Sequence, residues 1–260
     1  MSDTNYYYGH GQGALGTINA TTGLAAIYDI PLPEIDEMSL ALATDKIGHE
    51  SKRQSIASDD LSVVRKIGMT GKIVCSVHTP DILKLGAYGS SSAVAGGAAA
   101  ATAYASGLAA GDIVAHPGGK TRLTSIVITD SNASPATPTL GTDYEIYDAN
   151  AGLIKILNVG SYTQPFKIAA TEAAGTSVGF MTQRVYEKSL IFSGLNIADN
   201  DKPCIVKLHK IQIEPFSAWS LLSSGNEVNK YEFNFTVLKQ TLVAASAALG
   251  QYGDYTESAG

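Results

Sequence analysis

Lys66-Ile67-Gly68-Met69-Thr70-Gly71-Lys72-Ile73-Val74-Cys75-Ser76-Val77 is the stretch that decides the fold. Ile67, Met69, Ile73, Cys75 and Val77 fall on one side of an extended chain, with Lys66, Thr70, Lys72 and Ser76 on the other. That period of two marks a strand with one buried face and one wet face. The same pattern returns late in the chain, where Tyr231, Phe233, Phe235 and Val237 alternate with Glu232, Asn234 and Thr236. The apolar members of both stretches are the expected core.

Working outward, Thr79-Pro80-Asp81 supplies an N-cap, a proline for the first helical position and an acid for the first turn. A short helix is expected from there to about residue 87, ended by Gly86 and Gly89. Upstream, Met38-Ser39-Leu40-Ala41-Leu42-Ala43 alternates as the end of a strand that starts near Ile35. Downstream, 123–129 is rich in β-branched residues, and 144–147 and 153–157 flank Asp148-Ala149-Asn150-Ala151-Gly152, a hairpin loop by its Asn and Gly. Residues 177–192 hold a further strand or two, interrupted near Glu187-Lys188, and 204–214 carries apolar residues on both faces. Roughly nine strands and one helix predict an all-β fold, a β-sandwich or strongly bent barrel.

The organisation expected around this core is a single β-domain over 24–240 between two arms. Residues 1–23 are broken up by Gly9, Gly11, Gly13, Gly16 and Gly23 and read as an N-terminal arm, and 241–260 loses the strand pattern and reads as a C-terminal one. Residues 44–61 read as a long charged loop in which Ile47, Ile56 and Leu61 are the large aliphatic residues. Such a segment cannot offset its own backbone entropy and needs a partner surface. Residues 89–121 form an Ala/Gly-rich insertion whose composition does not choose between helix and extended chain.

The chain has 260 residues, 45% hydrophobic and 16% charged, which is ample for a core and sparse for a solvated monomer surface, a balance that points to self-association. Its net charge is −6, with no basic block able to neutralise a phosphate backbone, so tight nucleic-acid binding is not expected. Cys75 and Cys204 lack a CxxC or Cys/His spacing and read as reduced core thiols. The first residues have neither a cationic nor an apolar signal region, so the protein is expected to stay in the cytosol of the cell that makes it. Residues 92–110 are mostly alanine and glycine, too weakly apolar for a membrane span.

The constellations that carry chemistry are missing, and the expectation is a protein that is not an enzyme and holds no cofactor or metal. His116-Pro117-Gly118-Gly119-Lys120-Thr121 ends like a phosphate loop, but Val114 stands where the first glycine belongs. Gly9-His10-Gly11-Gln12-Gly13 lacks the strand-to-helix context of a dinucleotide site. His10, His49, His78, His116 and His209 lie singly, and Asp199-Asn200-Asp201 falls short of a calcium loop.

The order of features resembles the tail tube, or major tail, proteins of long-tailed phages. It is carried by the glycine-rich N-terminus, the strand pair joined by a charged loop, the one-sided strand leading into Thr79-Pro80-Asp81, and the late segment Leu190-Ile191-Phe192-Ser193-Gly194-Leu195-Asn196. Gly141-Thr142-Asp143-Tyr144-Glu145-Ile146-Tyr147-Asp148 followed by Gly152-Leu153-Ile154, and the strand ending at Pro215 before Trp219-Ser220-Leu221-Leu222, are similar to segments of that group. The resemblance implies hexameric rings of sandwich-like subunits with a continuous inner barrel and a flanking helix, stacked into a conduit for genome delivery in the virion tail. It implies tape measure, tail-tip and tail terminator proteins as partners, with DNA passing through unbound. In that setting 44–61 is the expected inter-ring contact, made by Asp45, Lys46, Glu50, Lys52, Arg53, Asp59 and Asp60. The competing expectation is another phage virion β-module, a tail-tip, decoration or adhesin protein; a β-sandwich enzyme acting on glycans lacks a nameable acid/base pair.

Overall fold

The computed structural model describes residues 9–51, 58–118, 122–199, 201–223, 228–244 and 250–257, with the backbone alone at 50–51 and 58–60. The protein is all-β, 56% strand with one α-helix among the described residues, and its paired strands are antiparallel. In chain order the elements are β1 (Gly9–Ile18), β2 (Ala25–Leu32), β3 (Ile35–Ser51), β4 (Ser58–Cys75), α1 (Pro80–Gly86), β5 (Ser90–Val94), β6 (Gly97–Ala103), β7 (Ile113–Ala115) and β8 (Leu123–Thr129). They continue with β9 (Tyr144–Asp148), β10 (Leu153–Ile156), β11 (Lys167–Glu172), β12 (Gly175–Gly179), β13 (Tyr186–Asn196), β14 (Lys202–Ile213), β15 (Tyr231–Val237) and β16 (Gly253–Glu257). Where the sequence points to a single β-domain over 24–240, the chain divides into two compact units, Met1–Ser90 with Gly179–Gly260, and Ser91–Val178.

The first unit is one sheet in the order β2-β1-β13-β14-β15-β4-β3, with β16 also paired to β14. Leu15 and Ile30 from one end of this sheet share a core with Ile73, Phe233, Phe235 and Val237 from the other, so the sheet curls around its apolar side. Helix α1 fills that curl, with Ile82 and Leu85 fully buried. Its start is as the sequence predicts: the Thr79 hydroxyl accepts from the Ile82 N–H at 3.2 Å, Pro80 opens the helix and Asp81 lies in the first turn. Gly86 is required where the helix ends, because a Cβ there would overlap the Phe216 ring.

Several expectations change. The glycines of 1–23 point to an arm, yet β1 lies inside the sheet between β2 and β13. A Cβ at Gly11 would stand 2.5 Å from the Ser193 carbonyl oxygen, so close strand approach, and not mobility, explains that glycine. The loop over 44–61 is largely strand: β3 and β4 pair, through three register shifts, from Ile35↔Cys75 to Ser51↔Ser58. Charge gave it the look of a loop, but both faces of a projecting ribbon are solvated and tolerate charge. The C-terminal arm contains β16, which pairs Gly253–Glu257 with the part of β14 that β15 leaves open. Strand β13 runs through Glu187 and Lys188, with a register shift before Leu190 in place of a break.

The second unit contains two three-stranded sheets, β7-β10-β9 and β6-β11-β8, and a core of Tyr104, Leu123, Ile128, Tyr144, Ile154, Ile156, Phe166 and Ile168. The expected insertion over 89–121 is therefore part of a longer inserted unit. Its alanine run becomes edge strand β6 because β11 supplies the pairing that alanine's own preference does not. The β9–β10 hairpin forms as expected, with Asp148 Oδ1 accepting from the Asn150 N–H at 2.8 Å and Gly152 at φ +64°.

Two buried carboxylates tie the loops of this unit. Asp143 accepts from the Thr139 N–H at 2.8 Å, the Tyr162 hydroxyl at 2.7 Å and the Asn158 amide at 3.0 Å. Asp130 accepts from the N–H groups of Ala136, Asn132 and Thr163. The Thr139 N–H, with the Tyr162 and Asn158 donors, holds the Asp143 carboxyl below its ordinary pKa against the opposing effect of burial. A lowered folded pKa contributes stability above the unfolded carboxylate value and loses it as pH falls through the folded one. Asp143→Asn is therefore expected to melt this unit at a lower temperature than wild type at pH 7, with the gap closing as pH falls toward 2. Thermal melts across that pH range check it, and a gap that widens on acidification contradicts it.

Candidate functional site

The strand alternation that fills the core of the first unit also builds its opposite face. Cross-strand partners there are Ser39, Lys72 and Asn234 in one row, and Ala41, Thr70, Thr236, Gln212 and Glu187 in the next. These rows line a polar surface with a concavity of about 310 Å³ bounded by Ser39, Ala41, Thr70, Lys72, Glu214 and Asn234. Two of its cations are tied down. Lys72 Nζ lies 3.2 Å from Glu232 and 3.6 Å from Glu37, and Lys210 Nζ lies 2.8 Å from Glu187. Hydrogen bonding to Glu232 raises the Lys72 pKa, with desolvation opposing and Glu37 adding to the rise. Around the concavity Lys72 and Lys210 stand against Glu37, Glu187, Glu214 and Glu232, while Lys66 lies further along the same side of β4, across from Asp45. Pairs this exposed add little to stability. Their effect is electrostatic: neither the Lys72 nor the Lys210 ammonium is left as an isolated charge for an anion to meet.

Beyond Met69, β4 has no strand beside it other than β3 among the described residues, because β15 ends its pairing there. The ribbon that projects carries exposed Leu42, Ile47, Leu61, Val63, Val64 and Ile67. A two-stranded ribbon is marginal in water, and large apolar residues on it mark a surface that is covered in use. Ile67, expected in the core, is 61% exposed, since the core ends about one turn of the pleat earlier, at half-buried Met69. Ile73, Cys75, Tyr231, Phe233, Phe235 and Val237 are buried, and Val77 lies beyond the end of β4, half-buried.

Of the expected inter-ring residues, Asp45 and Lys46 are exposed on β3, Glu50 lies on β3, and Asp59 and Asp60 open β4. Lys52 and Arg53 lie outside the described residues. Asp45 is bonded to Arg65, which donates through Nε at 3.0 Å and through its terminal nitrogen. Sequence reading missed Arg65, Glu37 and Glu187 because their roles depend on register; the wet-face positions of Lys72 and Glu232 were the available signal. The sheet's outer edges, β2 and β3, have no partner strand among the described residues.

Other candidate chemistry does not assemble. Among the described residues no three His, Cys, Asp or Glu side chains group as a metal site, and no helix is long and apolar enough to cross a membrane. Of the expected histidines, His78 Nδ1 lies 2.6 Å from the Tyr231 hydroxyl, while His116 and His209 are buried. Burial pushes the Cys75 thiol up to about 11, so it is not an activated nucleophile.

A comparison with curated proteins finds no match. Residues 6–256 match the family model described as "Protein of unknown function UCP028589", and with nearly its whole length matched the chain belongs to that family.

Proposed function

We propose that this protein is the structural subunit of a phage tail tube, forming hexameric rings that stack into a hollow conduit for the genome. The observation that carries the reading is the first unit's curled sheet, which combines two outer edges that have no partner strand among the described residues with a polar face on which Lys72 and Lys210 are paired with glutamates. Unpaired edges invite strand addition. Adding β2 of one copy to β3 of the next is a heterologous contact, and such contacts close into rings when the rotation permits. In that ring the polar face becomes the inner wall of a continuous barrel, with the apolar core and α1 on the outer side.

A wall for moving DNA must not hold phosphate. Free lysines would bind it through counterion release, whereas lysines already paired with carboxylates, on a face with more acid than base, offer little gain. The subunit has no catalytic role in this reading and takes its place in the virion tail, after assembly in the host cytoplasm, beside tape measure, tail-tip and tail terminator proteins. Electron microscopy of the purified protein at rising concentration is the test. Rings and tubes with a central channel are expected; uniform small particles at every concentration contradict the reading.

One observation favours the second reading, a tail-tip, decoration or adhesin module. Residues Ser91–Val178 form a compact unit with their own core, as a displayed binding module requires. Such a protein has no need of axial self-stacking, and the same micrographs separate the two.

A further inference from the structure

The two sides of the β3–β4 ribbon exchange character at a register shift. Along β3 from Glu37 onward the alternation is unbroken, so Met38, Leu40, Leu42 and Thr44 lie on the core side of the sheet and Ser39, Ala41, Ala43 and Asp45 on the polar side. Strand β4 skips one residue: Asp45 pairs with Lys66 and Lys46 with Val64, leaving Arg65 as the extra residue of a bulge, bonded to Asp45. Val64 thereby joins Leu42 and Ile67 on the core side. Beyond the shift, Ile47 pairs with Val63 and His49 with Leu61, which puts Ile47, Leu61 and Val63 on the continuation of the polar side. The ribbon thus carries two apolar strips facing opposite ways, both exposed, with Leu42 at 73% and Ile47 at 56%.

We propose that the ribbon grips two different copies of this chain: the neighbour in its own ring covers Leu42, Val64 and Ile67, and the outer wall of the adjacent ring covers Ile47, Leu61 and Val63. This rests on the tube reading. The first strip continues the core side past Met69 along the free edge of β3, the edge that receives the next subunit's β2, and any copy paired there brings its own core-side cover. The second strip lies on the side that faces the channel in the body of the sheet. An apolar strip cannot stay in a wet channel without cost, so the tip has to leave the wall and lie with that side against protein. The adjacent ring is the protein next along the axis.

Reach and charge agree with this occupant. Residues 43–51 of β3 span about 30 Å at the strand rise of ~3.3 Å per residue, enough to overlap a neighbouring ring one subunit thick. Asp45, Lys46, Arg65 and Lys66 mix both signs on the ribbon. That mixture suits register against a protein surface of mixed sign and not the embrace of a polyanion.

Two double variants separate the strips: Leu42→Glu with Ile67→Glu, and Ile47→Glu with Val63→Glu. All four positions are exposed, so circular dichroism and melting of the subunit are expected to match wild type. By sedimentation and microscopy the first pair is expected to stay monomeric, and the second to form closed rings with at least a tenfold loss of tubes. If a glutamate pair loses its fold, the corresponding threonine pair is read in its place and the same split is expected. Normal tubes from either pair, or loss of rings from the second, overturns the two-sided grip while leaving the tube reading standing. Wild-type protein that forms neither rings nor tubes overturns both.

Discussion

Phe235→Ala is expected to lower the unfolding free energy of the first unit by about 3–5 kcal/mol, the usual cost of emptying an aromatic core site. The Phe235 side chain is 1% exposed and its ring lies over Gly71 of β4, where a Cβ would overlap it. Gly71 has no side chain to move into the space, and strands β14 and β4 on either side of β15 hold the backbone apart, so the cavity cannot collapse. Asn234→Ala, between Phe233 and Phe235 but on the polar face, is the control and is expected within about 0.5 kcal/mol of wild type. Denaturant titrations give both numbers. Equal losses for the two variants, or a loss under about 1 kcal/mol for Phe235→Ala, contradict the facing assigned to β15.

Freeing Lys72 is expected to turn a passive channel into a DNA trap. In the double variant Glu37→Gln, Glu232→Gln the ammonium keeps its place on β4 but loses both carboxylates that lie within 3.6 Å. In the proposed hexameric ring this frees about six cations that face the channel. A set of roughly 6–10 phosphate contacts changes affinity by about 10³–10⁵ between 50 and 200 mM salt. Variant tubes are expected to retain short duplex DNA at about 50 mM salt and release it near 200 mM, while wild-type tubes retain little at either. Wild-type retention equal to the variant's contradicts the role given to the clamped lysines. Because exposed ion pairs contribute little to folding, the melting temperature of the subunit is expected to change little.

How much of this was legible in the sequence depended on whether a residue's partner is local. Strand β15 declares itself because Tyr231, Phe233, Phe235 and Val237 pack one way and their neighbours are polar; helix α1 declares itself because its cap is three residues from its partner. The ribbon did not, since Ile47 and Leu61 are spaced by charge and make sense as strand residues only once β3 and β4 are paired. Strand β1 was hidden by glycines that serve close packing against Phe192 and Ser193, a need that arises on another strand far along the chain. Alanine-rich β6 has almost no preference of its own and takes its conformation from β11. The candidate site was legible to the same extent: the wet side of β4 and β15 could be named, including Lys72 and Glu232, but the clamp on Lys72 also needs Glu37, whose placement follows from register alone.

Cryo-electron microscopy of tubes assembled from the purified protein tests the central claim most directly, because it reads which face of the sheet meets the channel. The account predicts Ser39, Thr70, Lys72, Gln212 and Asn234 on the inner wall, β2 of each copy beside β3 of the next, and α1 on the outer side. Tubes with that polar face turned outward, or closed rings in which β2 and β3 stay unpaired, contradict it.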